Sequence, residues 1–352
     1  MSNENKTLLE IQGLKKYFPI QAGFLRRTVG YIKAVDNVSL NVRKGETLGV
    51  VGESGCGKTT MGRCLVKLYE PTAGKVLLHT PQKTISVTNL TSQDQRLFRS
   101  SAQIIFQDPF ASLNPRMSIL ETVGEPLLVN GIASGRELEE RVKEVITQVG
   151  LRVEHLRRYP HSFSGGQRQR VGIARALVVN PSLVVADEPV SALDVSIQAQ
   201  ILNLLKDLQA EYDLTYLFVS HNMAVVRYIC DRIAVMYAGK MVEIGRKNEL
   251  LAQPQHPYTE LLLGAVPRTV AGQRGHRIIT PGEPPDLSNL PQGCVFQARC
   301  KYVRDRCKEE EPQIRPVGDD HFAACHFSEE LTLQGISDTA ATLHAVPAMS
   351  EN

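Results

Sequence analysis

The nine residues Gly52 to Thr60, GESGCGKTT, decide how this chain is read. Gly52, Gly57, Lys58 and Thr59 fit the pattern G-x-x-x-x-G-K-[S/T]. An apolar run, Leu48 to Val51, leads in, and a helix-compatible run, Met61 to Leu68, leads out. Strand, loop and helix in that order are the context a phosphate-binding loop requires. Glycines let the backbone turn its N–H groups onto one oxygen cluster, and the following helix presents its positive end to the same anion. Lys58 adds a point charge for the terminal phosphates, and the Thr59 hydroxyl is a ligand for Mg²⁺.

A second run completes a nucleotide site. Leu183 to Glu188, LVVADE, is apolar until it ends in two acids, as a buried parallel strand does when it delivers ligands at its carboxyl end. Asp187 is the candidate Mg²⁺ partner, and Glu188 the candidate to polarise the attacking water. His221 follows another apolar run, Leu214 to Val219, and is placed to bond a γ-phosphate. Gln107 closes the run Ser101 to Gln107, SAQIIFQ, which reads as a buried strand, and its amide can sense Mg²⁺ or water. Ser164-Gly165-Gly166-Gln167 offers a hydroxyl, two bare backbone units and a helix start, which makes a second anion seat. That seat is surplus for one nucleotide in one chain. It has a use if it closes over a nucleotide held by another chain.

The rest of the chain sets the frame. Its 352 residues, 42% hydrophobic and 22% charged, suffice for a large soluble unit with an appendage. A net charge of +3 does not argue for nucleic acid, and the Arg157-Arg158 and Arg168 to Arg175 clusters read as solvated helix faces. No apolar run reaches membrane-spanning length and no signal core opens the chain, so it is expected to stay in the cytosol and to reach a membrane only through a partner. Residues 7 to 51 read as an antiparallel sheet, with 19 to 33 as an insertion loop carrying Arg26 and Arg27. Ser134 to Gly150 reads as a helix with a Ser134/Glu137 capping box, whereas 108 to 133 shows only prolines and short segments. Further helices are expected over 166–179 and 197–211. Arg232 to Gly245 reads as a hairpin turning at Ala238-Gly239. Past about Val266 periodicity fades.

Taken in order, these motifs resemble the nucleotide-binding subunit of an ABC transporter. Gly52, Glu53, Ser54, Gly55, Cys56, Gly57, Lys58, Thr59 and Thr60 are similar to its Walker A loop. Gln107 corresponds to its Q-loop, Ser164 to Gln167 to its signature, and Asp187 and Glu188 to Walker B. Ser191 to Asp194 match the D-loop, His221 the switch histidine, and Tyr17 the aromatic that stacks on adenine. Phe163 departs from the leucine common before Ser-Gly-Gly, at a packing position. FQDPFASLNPRM (106 to 117), HPYTELLLGAVP (256 to 267) and the C-terminal extension resemble the ATPases of dipeptide and oligopeptide importers, with nickel and sugar importers as close relatives.

The resemblance implies an α/β P-loop NTPase with a RecA-like core, an antiparallel β subdomain and a helical subdomain at about 108–175. The ATPase domain would span 1–265, a small cysteine-rich domain 266–330, and a flexible tail 331–352. It implies ATP and Mg²⁺ (near Thr59, Gln107 and Asp187), a paralogous ATPase partner, two permease subunits and an extracytoplasmic binding protein. A soluble ABC ATPase of DNA repair or translation is the rival reading, but the chain carries one cassette and no coiled-coil insert.

Cys294, Cys300, Cys307 and Cys325 crowd the C-terminal part with five, six and seventeen residues between them. This spacing alone leaves zinc, an iron–sulfur cluster and free thiols open. The resemblance points to a [4Fe–4S] cluster. Cys56 needs only to be small; a helix N-terminus could also lower its pKa.

Overall fold

A computed structural model describes residues 6–24, 27–265 and 282–336. Arg26, the boundary near residue 266 and the tail from 337 onward lie outside them. In chain order, β1 (Thr7–Ala22) and β2 (Arg27–Arg43) form a long antiparallel hairpin, so the segment expected as an insertion loop continues both strands instead. β1 buries Leu8, Leu9, Ile11 and Leu14 in the core, with a register shift between Ile11 and Leu14. The fully buried β3 (Thr47–Val51) enters the phosphate-loop segment and α1 (Lys58–Leu65) leaves it. β4 (Ala73–His79) and β5 (Thr84–Ser86) complete a four-stranded sheet in the order β2-β1-β4-β5. Residues 47 to 51 were expected in this antiparallel layer, but they pair in the other sheet.

That second sheet carries the candidate site residues at one edge. α2 (Gln95–Ser101) precedes β6 (Ala102–Ile105), so Ser101 closes a helix rather than opening the strand. The helical segment follows: α3 (Ile119–Val129), α4 (Gly135–Gln148) and α5 (Gly165–Leu177). α3 carries the capping box, between Ser118 and Glu121. At α4 the expected Ser134/Glu137 box is not formed, because Glu137 pairs with Arg141 instead. Then come β7 (Leu183–Asp187), α6 (Val195–Tyr212), β8 (Thr215–Ser220), α7 (Met223–Ile229), and the hairpin β9 (Arg232–Tyr237) and β10 (Lys240–Arg246). The hairpin turns at Ala238 and Gly239, with φ of 47° and 80°, the left-handed pair that a tight two-residue turn demands.

Strands β9, β3, β8, β7 and β6 lie parallel, in that order. Apolar clusters pack on both faces, which explains why these strands read as unbroken hydrophobic runs.

Two short helices, α8 (Lys247–Ala252) and α9 (Pro257–Gly264), lead toward the C-terminal segment. That segment adds α10 (Asp305–Glu309), β11 (Arg315–Gly318) and β12 (His321–Ala323). β12 pairs with β10, which extends the main sheet. Buried Glu243 fastens the join. It accepts from the Gln255 and His256 amides and the Thr259 hydroxyl, and meets His321 Nε2 at 2.8 Å. A carboxylate fully out of water persists only when its oxygens are satisfied in this way. Ile336 N–H bonds the Leu251 carbonyl, so the described start of the tail docks on the core. Among the described residues, no helix is long and apolar enough to cross a membrane.

Candidate nucleotide-binding site

The site lies at the carboxyl ends of the parallel strands, where such sheets place their ligands. β3 delivers the phosphate loop, whose shape depends on Gly57. Its φ is 105°, and a Cβ there would stand 1.9 Å from the Ala34 carbonyl oxygen. The loop is braced from behind by the β9–β10 turn, where Gly239 N–H bonds the Cys56 carbonyl at 3.0 Å. Lys58 is buried and donates to the Gly52 and Glu53 carbonyls, each at 2.8 Å, so its ammonium lies across the loop. Ser54, Gly55 and Thr60 complete the cradle. Burial pushes the Cys56 thiol up even though Lys58 stands beside it, so this cysteine is not the acidic thiol that a helix start could have produced.

β7 brings its two acids to the same edge. Thr59 Oγ1 donates to Asp187 Oδ1 at 2.8 Å. Asp187 is only 1% exposed, and its Oδ2 has no hydrogen-bond partner; Arg63 Nε lies 4.0 Å away and is also unpartnered. Burial raises the Asp187 pKa, partly offset by Thr59 and Arg63. An orphaned carboxylate oxygen beside a threonine hydroxyl is the donor set a small hard cation takes, so Mg²⁺ fits here.

Glu188 sits one residue further on, with φ of 46°, a left-handed conformation rare for a residue bearing a side chain. Its own N–H on the Val219 carbonyl, and Ser191 N–H and Oγ on the Glu188 carbonyl, hold it there. Strain of this kind costs on the order of 1–3 kcal/mol and persists where surroundings over-determine it. Gln107 Nε2 donates to Glu188 Oε2 at 2.9 Å, and His221 Nδ1 lies 3.0 Å from the same oxygen. Three residues from three strand ends therefore meet at one carboxylate atom.

Tyr17, on β1, is half-buried, and its hydroxyl donates to Asp36 at 2.5 Å. Ser164 caps α5: its hydroxyl accepts from Gln167 N–H, and Gln167 Oε1 accepts from Ser164 N–H. Gly165 and Gly166 start that helix. A Cβ on Gly166 would meet Ile197 of α6 at 2.6 Å, so bare backbone is what lets the two helices approach. Phe163 is buried and packs edge-on against His155. Ser164 is exposed, and among the described residues no hydrogen bond or ion pair joins the Ser164–Gln167 segment to the phosphate loop.

Cys294, Cys300, Cys307 and Cys325 line one small cavity with His256, Phe296, Tyr302 and His326. Burial pushes Cys294 up to about 12 and Cys300 to about 11. The thiols are gathered in one place, yet among the described residues no three Cys, His, Asp or Glu side chains stand in a metal-holding arrangement. The ligating geometry expected from the resemblance is not present among the described residues.

Several contacts to this site could not be read from sequence. Tyr258 Oη accepts the Glu53 N–H at 2.8 Å, and Arg299 forms a two-pronged pair with the Glu53 carboxylate. Lys240 lies 3.1 Å from Asp36. An Arg 246 residues downstream of Glu53 carries no local signal; only the turn at 238–239 hinted that this region folds back.

Comparison with known proteins agrees with the geometry. The family "ABC transporter" matches residues 35–191, and "Oligopeptide/dipeptide transporter, C-terminal region" matches 242–307. The chain is 51% identical over 327 residues to the oligopeptide transport ATP-binding protein AppF of Bacillus subtilis (strain 168), covering 92% of this chain and 98% of that protein. It is 46% identical to the dipeptide transport ATP-binding protein DppF of Haemophilus influenzae, covering 92% of this chain and 97% of that one. Among solved structures, a dimeric post-hydrolysis state of the ATP-binding cassette MJ0796 bound to ADP and Pi is similar, with a TM-score of 0.59 and 31% identity. The match covers 68% of this chain and 99% of that one.

Proposed function

The chain belongs to the ABC transporter family as an ATP-hydrolysing subunit of a peptide importer, and on that premise we propose how its residues divide the work. The observation that carries the proposal is the meeting of Gln107, Glu188 and His221 at one oxygen, beside the Thr59–Asp187 pair. Backbone amides from Gly52 to Thr60 and the Lys58 ammonium hold the phosphates, and the Tyr17 ring takes the adenine. Thr59, Asp187 and Gln107 would hold Mg²⁺, which would supply charge neutralisation at the phosphate oxygens. Glu188 accepts a hydrogen bond from the attacking water and orients it in line with the γ-phosphorus. As the new P–O bond forms, the bond from the γ-phosphorus to the β–γ bridging oxygen breaks, ADP leaves with that oxygen, and the water's proton passes by way of Glu188 to the released phosphate or solvent. His221 and Gln107 fix the Glu188 carboxylate and the γ-phosphate relative to one another.

The Ser164–Gln167 seat serves a nucleotide bound by a second, paralogous ATPase chain, and the partner's seat serves this one. The pair works on two permease subunits fed by an extracytoplasmic binding protein, at the inner face of the membrane. Reading residues 1–265 as the ATPase domain and 266–330 as a cysteine-rich C-terminal domain belongs with this proposal, although β12 joins the main sheet and the start of the 331–352 tail, as far as Ile336, is docked rather than flexible. Reconstitution of the complete transporter in liposomes tests the function: peptide-loaded binding protein should stimulate ATP hydrolysis and peptide uptake together. Hydrolysis indifferent to peptide, or uptake of nickel or an oligosaccharide instead, would refute the peptide assignment.

The gathered thiols support one finer reading, a [4Fe–4S] cluster on Cys294, Cys300, Cys307 and Cys325. Iron and acid-labile sulfide after anaerobic purification should each approach four per chain if it forms. One zinc and no iron would replace it with a zinc site.

A further inference from the structure

The C-terminal segment reaches the nucleotide site at two separate points. Arg299, one residue before Cys300, sends Nη1 to Glu53 Oε2 at 2.7 Å and Nη2 to Glu53 Oε1 at 2.9 Å. Glu53 is the first variable residue of the phosphate loop. The Arg299 side chain is 8% exposed and lies over Tyr237 and Phe296, in an aromatic cluster that includes Tyr258, the acceptor of the Glu53 amide. Independently, Glu311 pairs with Lys240, Lys240 pairs with Asp36, and Asp36 accepts from the Tyr17 hydroxyl on the adenine side. One segment therefore holds both the phosphate loop and the base-stacking residue.

The charge placement gives the first contact a purpose. Glu53 is a carboxylate inside a loop built to receive a polyanion, and like charge at such range opposes binding. A planar guanidinium in two-pronged contact neutralises that carboxylate and fixes its direction, which a lysine point charge does less well. We propose that Arg299 is a positioning residue for ATP binding: it neutralises Glu53, holds it away from the phosphates, and ties the cysteine-bearing segment to the occupancy of the nucleotide site. This rests on the ATPase reading above. The linkage is reciprocal, so a segment that favours bound nucleotide is itself steadied by nucleotide.

The test measures Mg²⁺-ATP affinity of the full-length chain with a fluorescent ATP analogue and competing ATP. R299Q should weaken binding about tenfold, a coupling of ordinary size, and R299K should lose less. The double variant E53Q/R299Q should recover most of that loss, because the uncompensated carboxylate has gone; mere loss of packing would not be rescued this way. In the unaltered protein, ATP should slow amide hydrogen exchange across residues 294–307, a readout that survives even if R299Q does not fold. Unchanged affinity in R299Q, no recovery in the double variant, or exchange indifferent to ATP would overturn the proposal. If the unaltered chain binds no ATP, the ATPase reading itself fails.

Discussion

Glu188 is the residue on which chemistry and backbone strain coincide. Its φ of 46° aims the carboxylate where Gln107 and His221 reach the same oxygen. Glu188→Gln keeps the shape and the hydrogen bonds but loses the negative charge proposed to polarise water. ATP binding should persist, turnover at this site should fall by about 10³-fold or more, and nucleotide should accumulate in a closed pair on size-exclusion chromatography. Normal steady-state hydrolysis in a complex whose partner site is also disabled would count against the role. Gly57 makes a steric prediction instead. With φ of 105° and a would-be Cβ 1.9 Å from Ala34 O, Gly57→Ala must displace the loop. ATP binding should be lost by isothermal titration while the circular dichroism spectrum stays helical and sheet-rich; retained affinity would contradict the loop geometry.

At the scale of single elements, α9 shows how a helix start can sense acid. His256 caps it through Nδ1, which accepts the Tyr258 N–H, and burial lowers its pKa to about 3. The unfolded chain takes a proton near the ordinary histidine value of 6.5 that the folded chain refuses. This contribution to stability is therefore full above that value and is lost as pH falls toward about 3, at ~1.4 kcal/mol per pH unit at most. His256→Asn, which can still cap, should flatten that part of a stability-against-pH curve measured by urea unfolding; an unchanged slope would place the proton elsewhere.

Elements with a strong local cause were legible in the sequence. The phosphate loop has its glycines, β7 its apolar run ending in acids, and the β9–β10 hairpin its turn residues. α3 was not legible, because Gly124 and Pro126 interrupt a helix that its capping box and burial of Ile119, Val123 and Leu127 sustain. The β1–β2 extension was missed because its tip lacks alternating burial: Phe24, Val29 and Tyr31 are exposed. Arg299 on Glu53 and β12 on β10 are long-range pairings with no periodic trace in the chain.

Across the whole molecule, the described phosphate loop, Asp187, Glu188 and His221 share one sheet edge, while Ser164 faces solvent on its own helix start. A single chain thus offers one phosphate cradle and one separate anion seat, a division that makes sense when two chains exchange seats. Deleting one preorganised donor set from a transition state ordinarily costs about 10²–10³-fold in rate. The most direct measurement is the effect of Ser164→Arg on the assembled transporter, read beside ATP affinity of the isolated variant chain. Hydrolysis at the partner chain's nucleotide site, measured in an assembly in which this chain's own site is already silenced by Glu188→Gln, should fall at least about 100-fold while the variant's own phosphate loop still binds ATP; unchanged hydrolysis there, or full hydrolysis by a monomer alone, would contradict the shared-site mechanism.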